Sequence, residues 1–359
     1  MSQIKIMHMA DIHFGRPTSG LDESKRNIRK QEMRSSFSAA IDMAKEKQVD
    51  VLLIAGDFFD SADTDKSTVN FIKNEFAKIP HIPVFISPGN HDPLGSAYNM
   101  LCDGECGNLT VFSAEGGCVE IPDKNLAVYG IGFDNEVVNT GIFKNIKVKD
   151  STKINICVVH GELAANSDYN PITESDIAYS GMDYVALGHV HTYSGIKKAG
   201  DTFYAYSGTL EGGGFDECDE KGVILGTVSK ESSSFEFVRL SRRCYRTVEI
   251  DVTDAKTLQD IIVMVKAAAT DKNDLYKIVL TGRRPEKIPD GVIENEVDAF
   301  FVKVKDSTRG AYNLDELSGD YTIGGIFARN VLQRLENCDE SEKEDLIKAA
   351  DIVFDILSE

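Results

Sequence analysis

One pattern recurs five times in the first 191 residues: a short, largely apolar run of strand-like length is followed within three residues by Asp, His or Asn. In residues 51–60 the run Val-Leu-Leu-Ile-Ala ends at Gly56, which is too short for a helix and typical of a buried parallel strand. Asp57 follows directly. The carboxyl ends of such strands are where α/β sheets gather ligands and catalysts. The other four runs precede Asp11 and His13, Asn90 and His91, His160, and His189 and His191. The pattern therefore predicts one polar cluster along one sheet edge.

We interpret this cluster as a site for two divalent metal ions. All seven histidines lie before residue 192, and five of them follow the strand-like runs. Histidines used only for packing would not concentrate in this way. Neutral imidazoles with oxygen ligands suit manganese, iron or zinc, whereas a thiolate site would need cysteines. A carboxylate such as Asp57 can also bridge two cations.

The order of these runs predicts an α/β fold built as a two-sheet sandwich over residues 1–244. A basic segment at 240–246 looks like a boundary. Beyond it, strand and helix patterns over 245–310 predict a small β-α-β-β domain. Residues 311–359 form a helical tail, in which a capping box begins at Ser341. Short amphipathic helices bury themselves poorly alone, so we expect this tail to dock on its own protein or on a partner.

Composition narrows the class of protein. No apolar stretch approaches the roughly 18 residues of a membrane span, and the N-terminus lacks a signal-peptide layout, so we expect a cytoplasmic protein. A net charge of −19 argues against a general nucleic-acid binder, because such affinity rests on neutralising phosphates. The basic patch at residues 25–34 is either a phosphate-binding face or a solvated helix surface.

The complete motif set resembles that of the calcineurin-like metallophosphoesterases over residues 4–210. The matching motifs are Asp11-x-His13, Gly56-Asp57-x-x-Asp60, Gly89-Asn90-His91-Asp92, His160 and Gly188-His189-x-His191. The resemblance implies two metal sites bridged by Asp57, one held by Asp11, His13 and His191, the other by Asn90, His160 and His189. It implies two catalytic residues as well. His91 would face the scissile phosphate, and Asp60 would orient His91, while Asp92 would serve the structure of its loop.

Further features are similar to the SbcD family of DNA-repair exonucleases. They are the opening Ile-Lys-Ile-Met-His-Met-Ala-Asp-Ile-His-Phe-Gly-Arg, the form Gly-Asp-Phe-Phe-Asp, and Tyr206-Ser-Gly-Thr-Leu. Residues 245–310 are placed like that family's DNA-capping domain, and the terminal helices like its partner-binding segment. The resemblance implies a homodimeric, manganese-dependent nuclease that acts on DNA ends in double-strand-break repair, with an SbcC-like coiled-coil ATPase as partner.

Several alternatives stay open. Some relatives carry a second histidine where this chain has Asp60, which leaves the balance of exonuclease and endonuclease action undecided. A stand-alone metallophosphoesterase acting on a small phosphodiester, nucleotide or phosphoprotein is the main rival. A purely architectural role is disfavoured because no ligand position is missing. The candidates for phosphate contact are Arg242, Arg243, Arg283 and Arg284.

Overall fold

The computed structural model describes residues 2–103, 107–310 and 312–357, apart from the side chain of residue 340. Two units are distinguished, Met1–Cys244 and Tyr245–Glu359. The strands of the first unit are β1 (Ile4–Met9), β2 (Val51–Ile54), β3 (Val84–Ile86), β4 (Leu109–Val111), β5 (Gly117–Ile121), β6 (Leu126–Ile131), β7 (Ile154–His160), β8 (Tyr184–Gly188), β9 (Lys197–Ala199), β10 (Thr202–Tyr206), β11 (Gly222–Val228) and β12 (Ser234–Arg239). Its helices are α1 (Glu23–Lys47), α2 (Lys66–Phe76), α3 (Ser96–Cys102) and α4 (Glu174–Ala178), with 3-10 turns at Pro122–Lys124 and Ile142–Asn145.

These strands form two six-stranded sheets. The first has the order β12-β11-β1-β2-β3-β4, and the second has the order β5-β6-β7-β8-β10-β9. In the first sheet β1 to β4 run parallel, and β11 joins β1 antiparallel. In the second sheet β6, β7, β8 and β10 run parallel between antiparallel edge strands. The expected two-sheet α/β sandwich is confirmed.

Strand β2 shows why its sequence is continuously apolar. Val51 and Leu53 pack into the layer between the two sheets, where side chains of both sheets meet. Leu52 and Ile54 point to the other face and join the core that α1 and α2 cover. A strand buried on both faces has no polar side of its own. Its first polar side chain therefore comes after the strand ends.

The second unit contains a small parallel sheet and a group of helices. Its elements are β13 (Tyr245–Asp251), α5 (Leu258–Ala268), β14 (Leu275–Thr281), β15 (Arg283–Arg284), α6 (Val292–Glu296), β16 (Phe301–Asp306), β17 (Arg309–Gly310), α7 (Leu314–Ser318), α8 (Ile323–Asn337) and α9 (Glu340–Leu357). The sheet order β13-β14-β16 is parallel throughout. The short helix α6 precedes β16, so the order is β-α-β-α-β where the sequence suggested β-α-β-β. Parallel neighbours require such a crossover connection.

The terminal helices have a small core of their own. Ala328 and Val331 of α8 pack with Ala350 and Phe354 of α9. Thr322 caps α8 by accepting a hydrogen bond from the backbone N–H of Gly325. None of the helices within the described ranges combines the length and apolar character that crossing a bilayer requires.

Candidate metal centre

The predicted site residues lie at the carboxyl ends of parallel strands in both sheets. In the first sheet Asp11 follows β1, Asp57 follows β2 and Asn90 follows β3. In the second sheet His160 is the last residue of β7 and His189 comes directly after β8. The strands of the two sheets therefore deliver the polar side chains at their carboxyl ends to one place.

One group consists of Asp11, His13 and His191, whose potential ligand atoms all lie within 4.8 Å of one another. Nε2 of His13 is 3.1 Å from Nε2 of His191. Asp11 and His13 are buried, and His191 is partly exposed. Three potential ligands thus converge on a volume suited to a single ion.

A second group forms around Asn90. Its side-chain oxygen Oδ1 lies 3.0 Å from Nε2 of His160 and 3.2 Å from Nδ1 of His189. Oδ2 of Asp57 lies between the two groups, 3.6 Å from Nε2 of His13 and 3.5 Å from Nε2 of His160. The seven residues predicted as metal ligands therefore come together as two groups that share one carboxylate.

The electrostatics of this cluster suit cations. Asp11 and Asp57 are 0% and 1% exposed, and buried charges require a counter-charge or a metal. Burial raises the pKa of Asp11 well above its usual range. Burial also opposes ionisation of Asp57, but the neighbouring imidazoles of His160 and His13 outweigh it and lower the pKa of Asp57. Burial lowers the pKa of His160 to about 4, so its imidazole is neutral at ordinary pH, which is the ligand form.

Glycines make the close approach of these loops possible. A Cβ on Gly56 would lie 2.3 Å from the His160 ring, and one on Gly89 would lie 2.2 Å from Oδ1 of Asp57. A Cβ on Gly188 would lie 1.7 Å from the carbonyl oxygen of Ala55. Each glycine immediately precedes a ligand candidate in the sequence. The Gly-Asp, Gly-Asn and Gly-His pairs are thus explained by packing.

Four of the cluster residues adopt a backbone conformation that is costly for residues other than glycine. Asp11, His13 and Asp57 have φ of 51°, 50° and 46°, and His189 has φ of 113°. Each such residue costs on the order of 1–3 kcal/mol, and such residues persist where surrounding structure enforces them. Here they coincide with the strand ends that aim the polar side chains inward.

Glu217 supports the cluster and was missed by the sequence analysis. Its Oε1 lies 2.7 Å from Nδ1 of His191 and accepts a hydrogen bond from Arg16 at 2.7 Å. Burial opposes ionisation of Glu217, but the hydrogen bond to His191 and the charges of His191 and Arg16 together outweigh it and lower the pKa of Glu217 to about 2. Nζ of Lys221 donates to the backbone oxygen of His191 at 2.8 Å. Glu217 follows no strand, so the strand-end pattern could not find it. The glycine triplet 212–214 before it was the one available signal.

His91 and Asp60 are placed beside the cluster. His91 is exposed, and its backbone N–H donates to Oδ1 of Asp57 at 2.9 Å. Oδ1 of Asp60 lies 3.2 Å from Nδ1 of His13. Potential ligand atoms of His13, Asp60 and His91 lie within 4.8 Å of one another. Asp60 is therefore close to both rings, and its orienting role toward His91 stays a prediction.

Asp92 holds two loops of the cluster together. Its carboxylate accepts hydrogen bonds from the backbone N–H groups of Phe58, Phe59 and Gly89 at 2.7–3.0 Å, and from the hydroxyl of Tyr98 at 2.5 Å. Burial, together with the charge of Asp57, raises the pKa of Asp92 to about 7. This agrees with the structural role expected for Asp92.

Three of the arginines considered for phosphate contact have carboxylate partners. Nε of Arg243 donates to Glu32 at 2.8 Å. In the second unit Arg283 pairs with Asp351 and Arg284 pairs with Asp355, each at 2.8 Å. A phosphate group would have to compete with these carboxylates.

Comparisons with known proteins identify a matching family and several similar proteins. The calcineurin-like phosphoesterase family matches residues 4–193. The chain is 26% identical to the uncharacterized metallophosphoesterase YhaO of Bacillus subtilis, over 97% of this chain and 90% of that protein. It is 25% identical to the DNA double-strand break repair protein Mre11 of Saccharolobus solfataricus, over 89% of this chain and 86% of that protein. A solved dimetal phosphatase from Danio rerio covers 67% of this chain and 97% of its own, at 8% identity and a TM-score of 0.45.

The family match includes every residue of the cluster from Asp11 to His191 and extends over more than half of the chain. The imidazole nitrogens and the carboxylate and amide oxygens of this cluster are donors that divalent cations bind. This chain belongs to the calcineurin-like phosphoesterase family.

Proposed function

We propose that this protein is a dinuclear-metal phosphodiesterase that cleaves DNA ends, as a manganese-dependent exonuclease or endonuclease of double-strand-break repair. The observation that carries the hydrolytic part is the position of Asp57, whose Oδ2 lies 3.6 Å from His13 and 3.5 Å from His160. The DNA substrate is supported by the relatives that are named DNA double-strand break repair protein Mre11.

In this proposal the two groups hold one ion each. The ligands are Asp11, His13 and His191 for one ion, Asn90, His160 and His189 for the other, and Asp57 for both. The mixture of imidazole and oxygen donors suits manganese, iron or zinc. Manganese is the ion that the resemblance to the SbcD family implies. When bound, two such ions activate a water and offset charge on the phosphoryl oxygens.

His91 is not one of the proposed metal ligands, and its side chain is proposed to act in catalysis. Its backbone is anchored to Asp57, while its ring lies at the exposed rim of the cluster. From there the imidazole can donate a proton to the leaving oxygen or a hydrogen bond to the phosphoryl group. Asp60, within 4.8 Å, would orient the ring.

The proposal extends to assembly, as a homodimer that binds an SbcC-like coiled-coil ATPase. The terminal helices support a helical partner, because Ile323 and Ile326 of α8 and Ile352 and Ile356 of α9 are exposed, Ile323 by 74% and Ile356 by 64%. Exposed apolar side chains on helices are typical of surfaces that receive another helix.

The test compares wild type, His91→Asn and His81→Asn with manganese. The substrates are end-labelled duplex DNA, a chromogenic phosphodiester and a phosphomonoester. We expect wild type to cleave DNA and the diester. His91→Asn should lose about 10²–10⁴-fold in rate while it retains both metal ions. His81, an exposed histidine outside the cluster, should be replaceable without effect.

Two outcomes would revise the proposal. Loss of metal in His91→Asn would remove His91 from its proposed role. Turnover of the small diester without DNA cleavage, even with the ATPase added, would make the protein a stand-alone phosphoesterase of small substrates.

A further inference from the structure

A cavity of about 230 Å³ opens next to the metal centre, within the first unit. Its walls come from residues 12–18 after β1, from the first three turns of α1, and from the loop around Gly212. His13 lines this cavity and also belongs to the metal centre. A molecule bound at the metal centre could therefore extend into the cavity.

Five Arg and Lys side chains line the cavity, and two of them have carboxylate partners. Arg16 pairs with Glu217 at 2.7 Å. The buried Arg29 pairs with Glu32 at 2.6 Å and with Glu211 at 3.0 Å. Glu211 is the one acidic residue among the described residues that line the cavity. These pairs hold the walls in place.

The other three cations are Arg26, Lys30 and Arg34, which follow one another at four-residue intervals along one face of α1. Within the described ranges, none of the three has a carboxylate within ion-pair distance. Arg26 donates to the backbone oxygen of Leu21 at 3.0 Å. Three positive charges thus remain without a paired carboxylate on one wall, in a chain whose net charge is −19.

The guanidinium of Arg34 is held in a fixed orientation. It lies 5.1 Å from the ring centroid of Phe71 and donates to the Thr68 hydroxyl at 3.3 Å. Asp65 lies near Lys30, and its pKa is lowered chiefly by a hydrogen bond from Ser67, with a smaller contribution from the charge of Lys30. The carboxylate of Asp65 is occupied as the N-cap of α2, where it accepts hydrogen bonds from the backbone N–H and the hydroxyl of Thr68. An oriented guanidinium with further cationic side chains on the same wall matches the oxygens of a phosphate group.

We propose that this cavity is a phosphate subsite, which binds a non-scissile phosphate of the molecule whose phosphodiester lies at the metal centre. The second half of this statement rests on the proposed function, whereas phosphate binding by the cavity does not. The non-scissile phosphate is either terminal or the next internal phosphate of a nucleotide strand. Both present the same oxygens to Arg26, Lys30 and Arg34.

The test measures binding to the full chain in EDTA, so that the cavity is examined without metal ions. The ligands are a dinucleoside monophosphate, the same molecule with a 5′- or a 3′-phosphate, and a trinucleotide. The variant is Lys30→Gln with Arg34→Gln. Its matched control is Lys45→Gln with Lys47→Gln, which removes two charges from the last turn of the same helix.

We expect the cavity variant to bind the ligands with an additional phosphate about 10- to 100-fold more weakly, because charge-assisted hydrogen bonds are lost. Binding of the dinucleoside monophosphate, which has no additional phosphate, should be unaffected, and the control variant should match wild type. A larger loss on the trinucleotide would assign an internal phosphate, and a larger loss on a terminally phosphorylated ligand would assign a terminal one. Lys30→Arg, which keeps the charge, should retain binding.

Equal losses on ligands with and without the additional phosphate would overturn the subsite, as would unchanged affinity for all of them. The same variants with manganese separate this proposal from the proposed function. Phosphate-dependent binding without cleavage of any substrate would leave the subsite standing and reject the nuclease. Cleavage by the cavity variant with an unchanged KM for phosphorylated substrates would support the nuclease and reject the subsite.

Discussion

In both units of this protein a charged residue follows the end of a parallel strand, but the side chains that surround this residue differ between the units. In the first unit β2 ends, Gly56 turns the chain with φ of 87°, and Asp57 follows. In the second unit β14 ends, Gly282 turns the chain with φ of 84°, and Arg283 follows. Asp57 meets imidazoles and an amide, whereas Arg283 meets the carboxylate of Asp351 at 2.8 Å.

The difference shows that a position after a strand does not by itself make a functional site. In the first unit burial works against the charge of Asp11 and Asp57, and no described Lys or Arg forms an ion pair with either of them. The ring nitrogens within 4 Å of these carboxylates belong to His13 and His160. In the second unit each arginine after β14 is neutralised by an acidic residue of α9. Unmatched buried carboxylates attract a cation, whereas the charges of the paired arginines are already compensated.

The largest expected effect tests whether Glu217, the acidic partner of His191, contributes to metal binding. Glu217→Gln removes the carboxylate that holds His191, and such supporting residues are worth about 10–100-fold in metal affinity or activity. We expect a loss of that size in manganese affinity, measured by calorimetric titration. Glu220→Gln, which breaks the exposed pair with Arg239, is the control and should leave the affinity unchanged. Equal manganese affinities in the two variants would show that Glu217 does not support the metal centre.

The next effect concerns a histidine with partners outside the cluster. His8 is buried against the Tyr184 hydroxyl, and burial lowers the pKa of His8 from 6.5 to about 3. Between these two values the unfolded chain binds a proton that the folded chain does not, so stability falls as the pH falls. For a shift of this size the contribution reaches about 2 kcal/mol at pH 5.

His8→Gln should therefore reduce the loss of unfolding free energy between pH 7 and pH 5 by about 1–2 kcal/mol. The measurement is urea unfolding of the first unit's transition in EDTA. His81→Gln, at an exposed position, should keep the wild-type pH dependence. An unchanged pH dependence in His8→Gln would mean that His8 is protonated in the fold.

The smallest effect is expected in the second unit. Burial raises the pKa of Asp351, and the charge of Arg283 opposes that shift only in part, so the ionised pair contributes little net stability. Since Arg283 is 39% exposed, solvent screens the pair further. Asp351→Asn should change the unfolding free energy of this unit by less than about 1 kcal/mol and leave manganese affinity untouched. A loss of about 3 kcal/mol or more in unfolding free energy would show that Arg283 and Asp351 behave as a buried ion pair.

Part of the cluster was predictable because strand ends leave a clear mark in a sequence. A run such as Val-Leu-Leu-Ile-Ala followed by Gly-Asp indicates where a buried strand ends and which side chain follows it. The parallel sheets then follow from alternating strands and helices. Glu217 and the partners of Arg283 and Arg284 carry no such mark, since each contact joins residues between 26 and 71 positions apart. The short helix α6 was missed because five residues hold too little periodicity to detect.

By itself the sequence determined the α/β class, the two-sheet architecture and the candidate ligands, because burial on both faces of a strand and chemistry at its end are local properties. The tertiary structure alone decided how far Asp57 lies from His13 and His160, which arginines are neutralised, and that Arg26, Lys30 and Arg34 share a cavity with His13. These facts depend on distances between side chains that are remote along the chain. Such distances are set only when the two sheets and their covering helices pack.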